Sequence, residues 1–590
     1  MKTTTKRLDI DHGDSITRPP SSTRRRTHLL FAILFAMGCA ILLMDAVLPL
    51  RDLWFYEALL TQLGSWPVLP SQILFPGWQL IPPLPHLNYI GVPQVVQSWE
   101  KLPLLLASFI IVFLVYLLAL RQLPEHITKR YLLRSTVLLG ILYMLIPIVT
   151  SPDLYSYIAY ARIGVIHGLN PLTTPPTAIR GDVIYSYIFW VDQPSAYGPT
   201  WAIITCSLQW LTGLFGGASY LLTMVIVLRV LGLASHLVST LLIWSISGHL
   251  QQKYGGTISS TARLRATLAF AWNPLLLFEA CVNAHNDTIL LTLVLLAIWF
   301  LTRDTVPRIP PTVLAAAMLA LATCLKINIV VLAPGLLIYT WTQAPIQERV
   351  KRVALTAATY AGIILLLYAP FWQGGAIFNV LTVNPSTYRS INTLADFLGH
   401  LYNAIAGDLG FALGEPIGSP AERLMHTLSL ASFVIIYVLL CWRIIRRPER
   451  VSTPPGLIRW MAIIWLVYCA IGSPWFFPWY ITIFFGLFAL IEALPGDNDS
   501  LFDFIPRPTG SGIYFVRLLA FSMLSLYCFS SWGPLNSLVP GLPGFLWSTF
   551  SGLWAWVLPP LGAYLLLRFS KVAIHKDRSP SHPKTIPKTR

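Results

Sequence analysis

The chain has 590 residues, of which 55% are hydrophobic and only 11% are charged. Soluble domains average roughly 45–50% apolar and about 25% charged residues, so this composition excludes an ordinary soluble protein. A net charge of +16 suggests nucleic-acid binding in a soluble chain. Here the basic residues lie mainly between apolar segments, so we expect no nucleic-acid partner.

The apolar residues fall into runs of about 18–22, which as helices are long enough to cross the ~30 Å hydrocarbon core of a bilayer. These runs predict an all-α polytopic membrane protein with about 14 transmembrane helices. The predicted spans are 28–48, 102–120, 131–150, 219–247, 264–282, 286–302, 311–325, 327–342, 353–371, 426–442, 457–472, 478–494, 512–531 and 547–568.

The Lys and Arg residues predict the orientation of these spans. Most of the 41 basic residues lie on one side, which includes both ends of the chain, so we predict that both termini are cytoplasmic. The segment 200–215 is apolar enough to cross, but a crossing there would place Lys253, Arg263 and Arg265 outside. Because it carries Trp and Phe residues, we predict instead a helix lying in the outer membrane interface.

This topology divides the chain into five regions and leaves three large outer segments. The regions are a disordered basic tail, two N-terminal helices, a membrane core, a C-terminal membrane region and a second disordered tail, at 1–27, 28–130, 131–342, 343–570 and 571–590. The outer segments are 49–101, 151–218 and 372–425. Since most inner loops are short, we expect the chemistry on the outer face.

The densest group of polar residues follows the third predicted span. It opens with Ser151-Pro152-Asp153 and continues through Tyr155, Tyr157 and Arg162 to Asn170. A carboxylate at the membrane interface can act as a general base on a substrate hydroxyl. The alternative is that Asp153 only caps the helix that begins there, because Ser-Pro-Asp is a good helix-start signature.

A second polar group lies at the predicted outer turn between the spans 264–282 and 286–302. Its members are Glu279, Asn283, His285, Asn286 and Asp287. A turn needs fewer polar side chains than this, although a simple helix cap at Asp287 remains the alternative. A divalent cation between Glu279, His285 and Asp287 is left open, but the spacing matches no defined metal motif, so we predict no cofactor.

Two cations lie on the predicted outer side, Arg229 within a span and Lys326 at a tight turn. They either extend their charges toward the headgroups, as long basic side chains do, or bind an anionic leaving group such as a lipid phosphate. Arg389 is a further candidate for that role. Aromatic residues on the same face include Tyr197, Trp475 and Trp479, and for the two tryptophans an interfacial belt and sugar stacking are alternatives.

Together these motifs resemble the GT-C superfamily of polyprenyl-phosphate-sugar glycosyltransferases, and most of all the bacterial polyprenol-phosphate-mannose-dependent α-1,6-mannosyltransferases. The resemblance covers about 130–340, and the rest of the chain only by general hydropathy. It rests on Ser151-Pro152-Asp153, Tyr155-Ser156-Tyr157, His167-Gly168-Leu169-Asn170-Pro171, Tyr197-Gly198-Pro199, and Asn273-Pro274 followed by His285-Asn286-Asp287.

The resemblance implies a GT-C-like bundle with interfacial helices in the large outer loop. It implies that a sugar, most often mannose, passes with inversion from a polyprenyl-phosphate carrier to a glycan or glycolipid hydroxyl on the outer face of the cell membrane. By this analogy Asp153 is the general base, Asp287 orients the acceptor or sugar, and Lys326 and Arg229 face the lipid phosphate. The other expected substrate-binding residues are Tyr155, Tyr157, Arg162, Asn170, Tyr197, Glu279, His285, Asn286, Trp475 and Trp479.

Two other functions remain alternatives at this point. A transporter or flippase of lipid-linked sugars should place ionisable residues near the midplane of several spans, whereas here they concentrate at one interface. An O-antigen-type polymerase also uses large outer loops, and only the motif resemblance argues against it.

Overall fold

The structure is a computed structural model of the chain. It describes residues 21–47, 73, 101–146, 150–216, 221–254, 259–303, 309–384, 390–408, 420–494, 511–530 and 545–576. Within these residues the regular secondary structure is helical, and β-pairing is limited to two isolated bridges without a β-strand. The prediction of an all-α protein is therefore confirmed for the part of the chain that is described.

The α-helices, in chain order, are α1 Ser21–Val47, α2 Lys101–Gln122, α3 Lys129–Leu145, α4 Asp153–Val165, α5 Pro199–Gly216, α6 Leu221–Tyr254, α7 Ser260–Ala271, α8 Pro274–Cys281, α9 Asp287–Thr302, α10 Pro311–Thr323, α11 Ala333–Gln343, α12 Arg349–Tyr368, α13 Asn379–Val383, α14 Leu394–Asp408, α15 Pro420–Arg446, α16 Pro454–Val467, α17 Thr482–Glu492, α18 Ser511–Ser530, α19 Phe545–Trp556 and α20 Leu558–Lys576. Short 3₁₀ turns and one π-helical turn, Tyr468–Gly472, connect several of them.

Each predicted span coincides with one helix or with two consecutive helical segments. Among the described residues, six segments are long and apolar enough to cross a membrane, and they are His28–Val47, Leu104–Gln122, Leu221–Tyr254, Ile346–Phe371, Glu422–Arg446 and Pro454–Gly472. These segments support a membrane protein. A total of about 14 crossings stays a prediction, since most of the remaining apolar helices are shorter than a full span.

Both predicted tails are shorter than the sequence indicated. Helix α1 begins at Ser21, inside the predicted tail 1–27, and α20 continues to Lys576, inside the predicted tail 571–590. Ser21, Ser22 and Thr23 suit a helix start, and the three arginines that follow are good helix formers. The remainder of both tails lies outside the described residues.

One hydrophobic core joins the N-terminal helices to the central region. It runs from Ile33 in α1 to Ala555 in α19. Helix α1 packs on α2 and α3, and the buried Tyr116 hydroxyl donates to the carbonyl oxygen of Ala269 at 2.7 Å. The two helices that precede the recognisable motifs are therefore built into the same bundle.

The predicted interfacial helix 200–215 corresponds to α5, Pro199–Gly216. Its exposed residues include Trp210, Leu214 and Phe215, which is the pattern expected of a helix that faces lipid on one side. Trp201 differs from the expectation, because it is 2% exposed and packs edge-on against Tyr157. The placement of α5 in the outer interface stays a prediction.

A buried ion pair links α17 and α18, away from the motifs. The Arg517 guanidinium contacts Glu492 Oε2 at 2.6 Å, and both side chains are nearly inaccessible. A charge inside a bundle is costly unless it is paired. Arg517, which the sequence places within a span, therefore has a structural partner.

Candidate active site

Asp153 and Asp287 are each the first residue of a helix, α4 and α9 respectively. The N-cap positions belong to Pro152 and Asn286, and neither makes a side-chain capping hydrogen bond. A carboxylate in the first turn is favoured by the partial positive charge of the helix N-terminus. Neither acid is the N-cap, so the simple capping alternative is wrong for both.

The Asp153 carboxylate lies in a largely enclosed, aromatic environment. The Tyr197 hydroxyl donates to Asp153 Oδ2 at 3.2 Å, and the Trp190 indole also donates to this carboxylate. His285 Nδ1 lies 3.8 Å from the same oxygen, and the Asp153 side chain is 14% exposed. Burial raises the pKa of Asp153 to about 6, although the positive charge of Lys326 opposes the rise. Asp153 is thus a carboxylate that can take up a proton near neutral pH and that solvent can reach.

Lys326 and Asp287 form a close ion pair beside Asp153. Lys326 Nζ lies 2.6 Å from Asp287 Oδ2, and the side chains are 11% and 1% exposed. The ammonium also lies 4.5 Å from the centre of the Tyr480 ring. An ammonium has three N–H donors, so the bond to Asp287 leaves donors for a further anion.

The outer segment contacts the turn that contains Lys326 at Tyr197-Gly198-Pro199. The amide of Gly198 donates to Leu325 O, and that of Thr200 donates to Cys324 O, both at 3.0 Å. A Cβ at position 198 would overlap the carbonyl oxygen of Cys324. The contact therefore requires glycine, and it brings Tyr197 and Asp153 toward Lys326.

His285 is buried at the turn between α8 and α9. Its ring stacks on Trp479 with a centroid distance of 3.7 Å, and its Nδ1 lies 3.3 Å from the Tyr157 hydroxyl. Burial, reinforced by the charge of Lys326, lowers the pKa of His285 well below its ordinary value, so the imidazole is neutral. Its Nε2 is buried and has no hydrogen-bond partner among the described residues.

Asn286 is the second unsatisfied group at this turn. The side chain is fully buried, and neither its oxygen nor its nitrogen has a hydrogen-bond partner among the described residues. Buried amides are nearly always hydrogen-bonded, and an unpaired one costs about 1–3 kcal/mol. Asn286 lies between His285 and Asp287, which makes this amide a candidate for binding a polar ligand.

The backbone of the same turn is strained. Ala284 has a φ of 51°, a left-handed conformation that is costly for a residue with a Cβ. Glu279 lies next to this turn and stabilises it. Tyr527 donates to Glu279 Oε1 at 2.7 Å, and Asn283 donates to Glu279 Oε2 at 3.0 Å. Both Glu279 oxygens are therefore engaged within the protein, and this residue fits a supporting position better than the expected substrate contact.

The two tryptophans singled out in the sequence differ in accessibility. Trp479 is 4% exposed, and besides His285 its ring stacks with Phe477 at 4.5 Å, so it offers no free face to a sugar. Trp475 is half-buried and lies edge-on to Trp190 at 5.8 Å. Trp475 is thus the one of the pair that remains accessible, and its neighbour Trp190 donates to Asp153.

Three predicted site residues instead organise the outer segment. Arg162 Nε binds Asp182 Oδ1 at 2.7 Å, and Asn170 donates to the carbonyl oxygen of Phe371 at 2.8 Å. Tyr155 is fully buried and stacks with Tyr187 at 5.6 Å. None of these contacts reaches Asp153, and Arg162, which was expected to bind substrate, forms an ion pair with Asp182.

Asp182 was missed in the sequence, although its carboxylate has two side-chain partners and one backbone partner. Burial raises its pKa, but the hydrogen bonds from Arg162, the Ile184 amide and His167 outweigh that effect, so the pKa lies below its ordinary value. The distance from His167 Nε2 to Asp182 Oδ2 is 2.8 Å. No local pattern identifies this acid, because its side-chain partners lie 15 and 20 residues away.

Arg229 also differs from the expectation that it faces the donor phosphate. Its guanidinium donates to the carbonyl oxygens of Met144 at 2.7 Å and Val282 at 3.0 Å. These carbonyls lie at the C-terminal ends of α3 and α8, where helices leave acceptors unsatisfied. Arg229 therefore joins two helix ends. Arg389, the other candidate cation, lies outside the described residues.

Metal binding receives no support from the arrangement of these side chains. Among the described residues, no group of three His, Cys, Asp or Glu side chains is arranged to hold a metal ion. The Asp287 carboxylate that a cation would use is bound to Lys326. The expectation that no cofactor is needed stays a prediction.

Comparison with known proteins relates the chain to mannosyltransferases. Residues 84–343 match a family described as Alpha-(1->6)-mannopyranosyltransferase, N-terminal domain, and this range contains Asp153, His285, Asp287 and Lys326. An alpha-(1->6)-mannopyranosyltransferase of Mycobacterium tuberculosis is 23% identical over 464 residues, which cover 66% of this chain and 73% of that protein. No solved structure matches. The comparisons confirm the predicted resemblance and the predicted enzyme class.

Proposed function

We propose that this GT-C-type glycosyltransferase transfers mannose from a polyprenyl-phosphate carrier to a hydroxyl group of a glycan or glycolipid, forming an α-1,6 linkage. The observation that carries the proposal is a reachable carboxylate, Asp153, beside a lysine that retains free donors, Lys326. The names of the matching family and of the one relative described above suggest the sugar and the linkage. The test is direct transfer of labelled mannose from a polyprenyl-phosphate donor.

In the proposed reaction, Asp153 accepts the proton of the acceptor hydroxyl. The acceptor oxygen then forms a bond to the anomeric carbon of the mannose, while the bond from that carbon to the phosphate oxygen breaks. The polyprenyl phosphate leaves with the electron pair of the broken bond. Attack and departure on opposite faces invert the anomeric configuration, so an α-linked product requires a β-linked donor.

Negative charge accumulates on the departing phosphate, and we assign its stabilisation to Lys326. A fixed positive charge is most effective where charge develops and water is excluded. Asp287 holds the ammonium at 2.6 Å, and the Tyr480 ring limits its movement. We therefore assign Asp287 a positioning role through Lys326, rather than direct contact with the reacting atoms.

The unsatisfied polar atoms of the turn are proposed to bind the sugar or the acceptor. Asn286 offers a donor and an acceptor, whereas His285 Nε2 lies 3.6 Å from Glu279 Oε2 inside the protein. Hydroxyl groups can both donate and accept hydrogen bonds, so a sugar can satisfy both atoms of the Asn286 amide. Trp475 and Trp190 provide the nearby aromatic surface.

The outer face of the cell membrane is the proposed location of the reaction, with both termini in the cytoplasm. The distribution of Lys and Arg along the chain supports this orientation. A lipid-linked donor also suits a site at the membrane interface, because its polyprenyl chain stays in the bilayer.

The pH dependence of the rate is expected to report the ionisation of Asp153. Its pKa is raised to about 6 by burial, and only the carboxylate form accepts a proton. The kcat/KM for donor should therefore increase about tenfold per pH unit below pH 6 and level off above it. Initial rates measured with the detergent-solubilised enzyme between pH 5 and pH 8 check this.

The matched control for the pH profile is Asp182→Asn. Asp182 lies in the same outer segment but has a lowered pKa. Its removal should therefore leave the decrease of kcat/KM below pH 6 unchanged. A rate that is constant from pH 5 to pH 7 in a folded wild-type enzyme would contradict the assignment of Asp153 as the base.

A further inference from the structure

A polar cavity of about 230 Å³ lies among the helix ends remote from the candidate site. It is lined by the last turn of α6, the end of α9 and the start of α10, with α11 and α12 on the other side. Its polar and charged lining residues include His249, Lys253, Arg303, Thr340, Gln343 and Arg352.

The cavity is separate from the group around Asp153. Helix α9 begins at Asp287 in that group and reaches the cavity at Leu301 and Thr302, which at 1.5 Å per residue is about 22 Å away. Helix α10 likewise reaches the cavity at Thr312 and ends shortly before Lys326. The two sites therefore lie at opposite ends of the same helices.

The charge of the cavity is strongly positive. Lys253, Arg303 and Arg352 all line it, and none of its described lining residues is a carboxylate. Arg352 has a partner in Glu348 at 2.7 Å, but both side chains are well exposed, and such pairs contribute little. Basic side chains that line one space favour an anion at that position.

The Arg303 side chain at this position suits a planar or tetrahedral oxyanion. The Arg303 guanidinium stacks on the Trp299 ring at 4.0 Å, which holds the group in place and leaves its N–H edge for an acceptor. Gln343 adds an amide to the wall, and one of its two N–H groups donates to the Ser452 carbonyl oxygen at 2.6 Å. The Thr340 hydroxyl already donates to the Leu336 carbonyl oxygen at 2.8 Å. Arginine with such donors is the usual arrangement for binding phosphate.

The size of the cavity limits the ligand to a headgroup. Pockets for drug-sized ligands measure roughly 300–1,000 Å³, and this one is smaller. Leu250, Leu301 and Ala344 line the same space and can contact the glycerol part of a phospholipid. Basic pockets between transmembrane helices are known to receive anionic headgroups.

We propose that this cavity binds the phosphate of an anionic phospholipid headgroup. The enrichment of Lys and Arg in inner loops explains why basic residues occur at this end of the bundle. The orientation of the protein in the membrane, however, requires neither a cavity nor three basic residues in its lining. The proposal is independent of the transferase reaction, since it concerns the other end of the helices.

The test compares the full-length protein with the double variant Lys253→Gln/Arg352→Gln in detergent micelles. Phosphatidylglycerol or phosphatidylcholine is added, and Tm and the phospholipid retained in native mass spectra are measured. The control is Lys129→Gln/Arg130→Gln, which removes one lysine and one arginine that are exposed at the start of α3. A further arm replaces lipid with inorganic phosphate.

We expect phosphatidylglycerol, and not phosphatidylcholine, to raise the Tm of the wild type and the control. The amount of phosphatidylglycerol retained should fall about tenfold or more in the Lys253→Gln/Arg352→Gln variant, because two charge-assisted contacts are lost. If inorganic phosphate alone gives the full, variant-sensitive shift, the phosphate site stands and its source is free phosphate. Equal shifts in the cavity variant and the control, or no shift in any arm, would overturn the proposal.

Discussion

The Asp153→Asn variant is expected to lose about 10²–10⁴ of the transfer rate while it folds and inserts normally. Asparagine has nearly the same shape and can still accept the hydrogen bond from Tyr197, but it cannot take up a proton. Its neutral amide also avoids the cost of burying a charge, which is the cause of the raised pKa of Asp153. The loss should appear in kcat and leave the KM for donor nearly unchanged.

The matched control is Asp192→Asn, which removes an exposed carboxylate from the same outer segment. It should transfer mannose at the wild-type rate, so a general effect of lost negative charge can be separated from the loss of the base. An Asp153→Asn enzyme that transfers at near the wild-type rate would remove Asp153 from the chemical step.

The second large effect is expected for Lys326→Gln, with kcat/KM for donor reduced about 10–150-fold. That range corresponds to the loss of one charge-assisted contact, roughly 1.5–3 kcal/mol. The single variant has a second consequence, because it leaves Asp287 buried without its partner. Loss of one member of a buried pair costs about 3–5 kcal/mol, so Tm should fall as well.

The double variant Asp287→Asn/Lys326→Gln separates these two effects. It removes both charges at once, and its Tm should return toward that of the wild type. If Lys326 stabilises the departing phosphate, kcat/KM stays low in the double variant. Recovery of both Tm and kcat/KM would show instead that Lys326 serves only to neutralise Asp287.

The helices were largely predictable because their signals are local. Runs of apolar residues match the bilayer thickness, and helix-start residues precede both Asp153 and Asp287. The same locality allowed Lys326 to be singled out, because lysine is uncommon on the predicted outer side. The number of crossings did not follow as directly, because many apolar helices of this chain are shorter than a bilayer is thick.

The partners of the site residues were not predictable, because they lie far away in the sequence. Glu279 is held by Tyr527, 248 residues further along, and no spacing rule connects the two. Trp479 appeared as available for a sugar as Trp475, yet its ring is stacked with both His285 and Phe477. Hydropathy cannot distinguish an aromatic residue packed against its neighbours from one left accessible.

Arg229 shows the same limit for a cation. Its position within a span marked it as unusual, which is correct, since intramembrane charges are costly. The cost is offset by hydrogen bonds from Arg229 to carbonyl oxygens at the ends of two helices. These bonds depend on how α3 and α8 pack together, which the sequence pattern does not indicate. An unusual residue type thus indicates that a partner exists, but not which partner.

The most direct test of the central claim is transfer of radiolabelled mannose by the purified protein in proteoliposomes. A polyprenyl-phosphate mannose donor and a mannoside acceptor are supplied, with the Asp153→Asn variant alongside. We expect labelled, α-1,6-linked product from the lipid-linked donor with the wild type, little product with the variant, and none when a nucleotide-activated mannose replaces the donor. Movement of intact lipid-linked mannose across the bilayer without glycosidic product, or equal product from both proteins, would contradict the account.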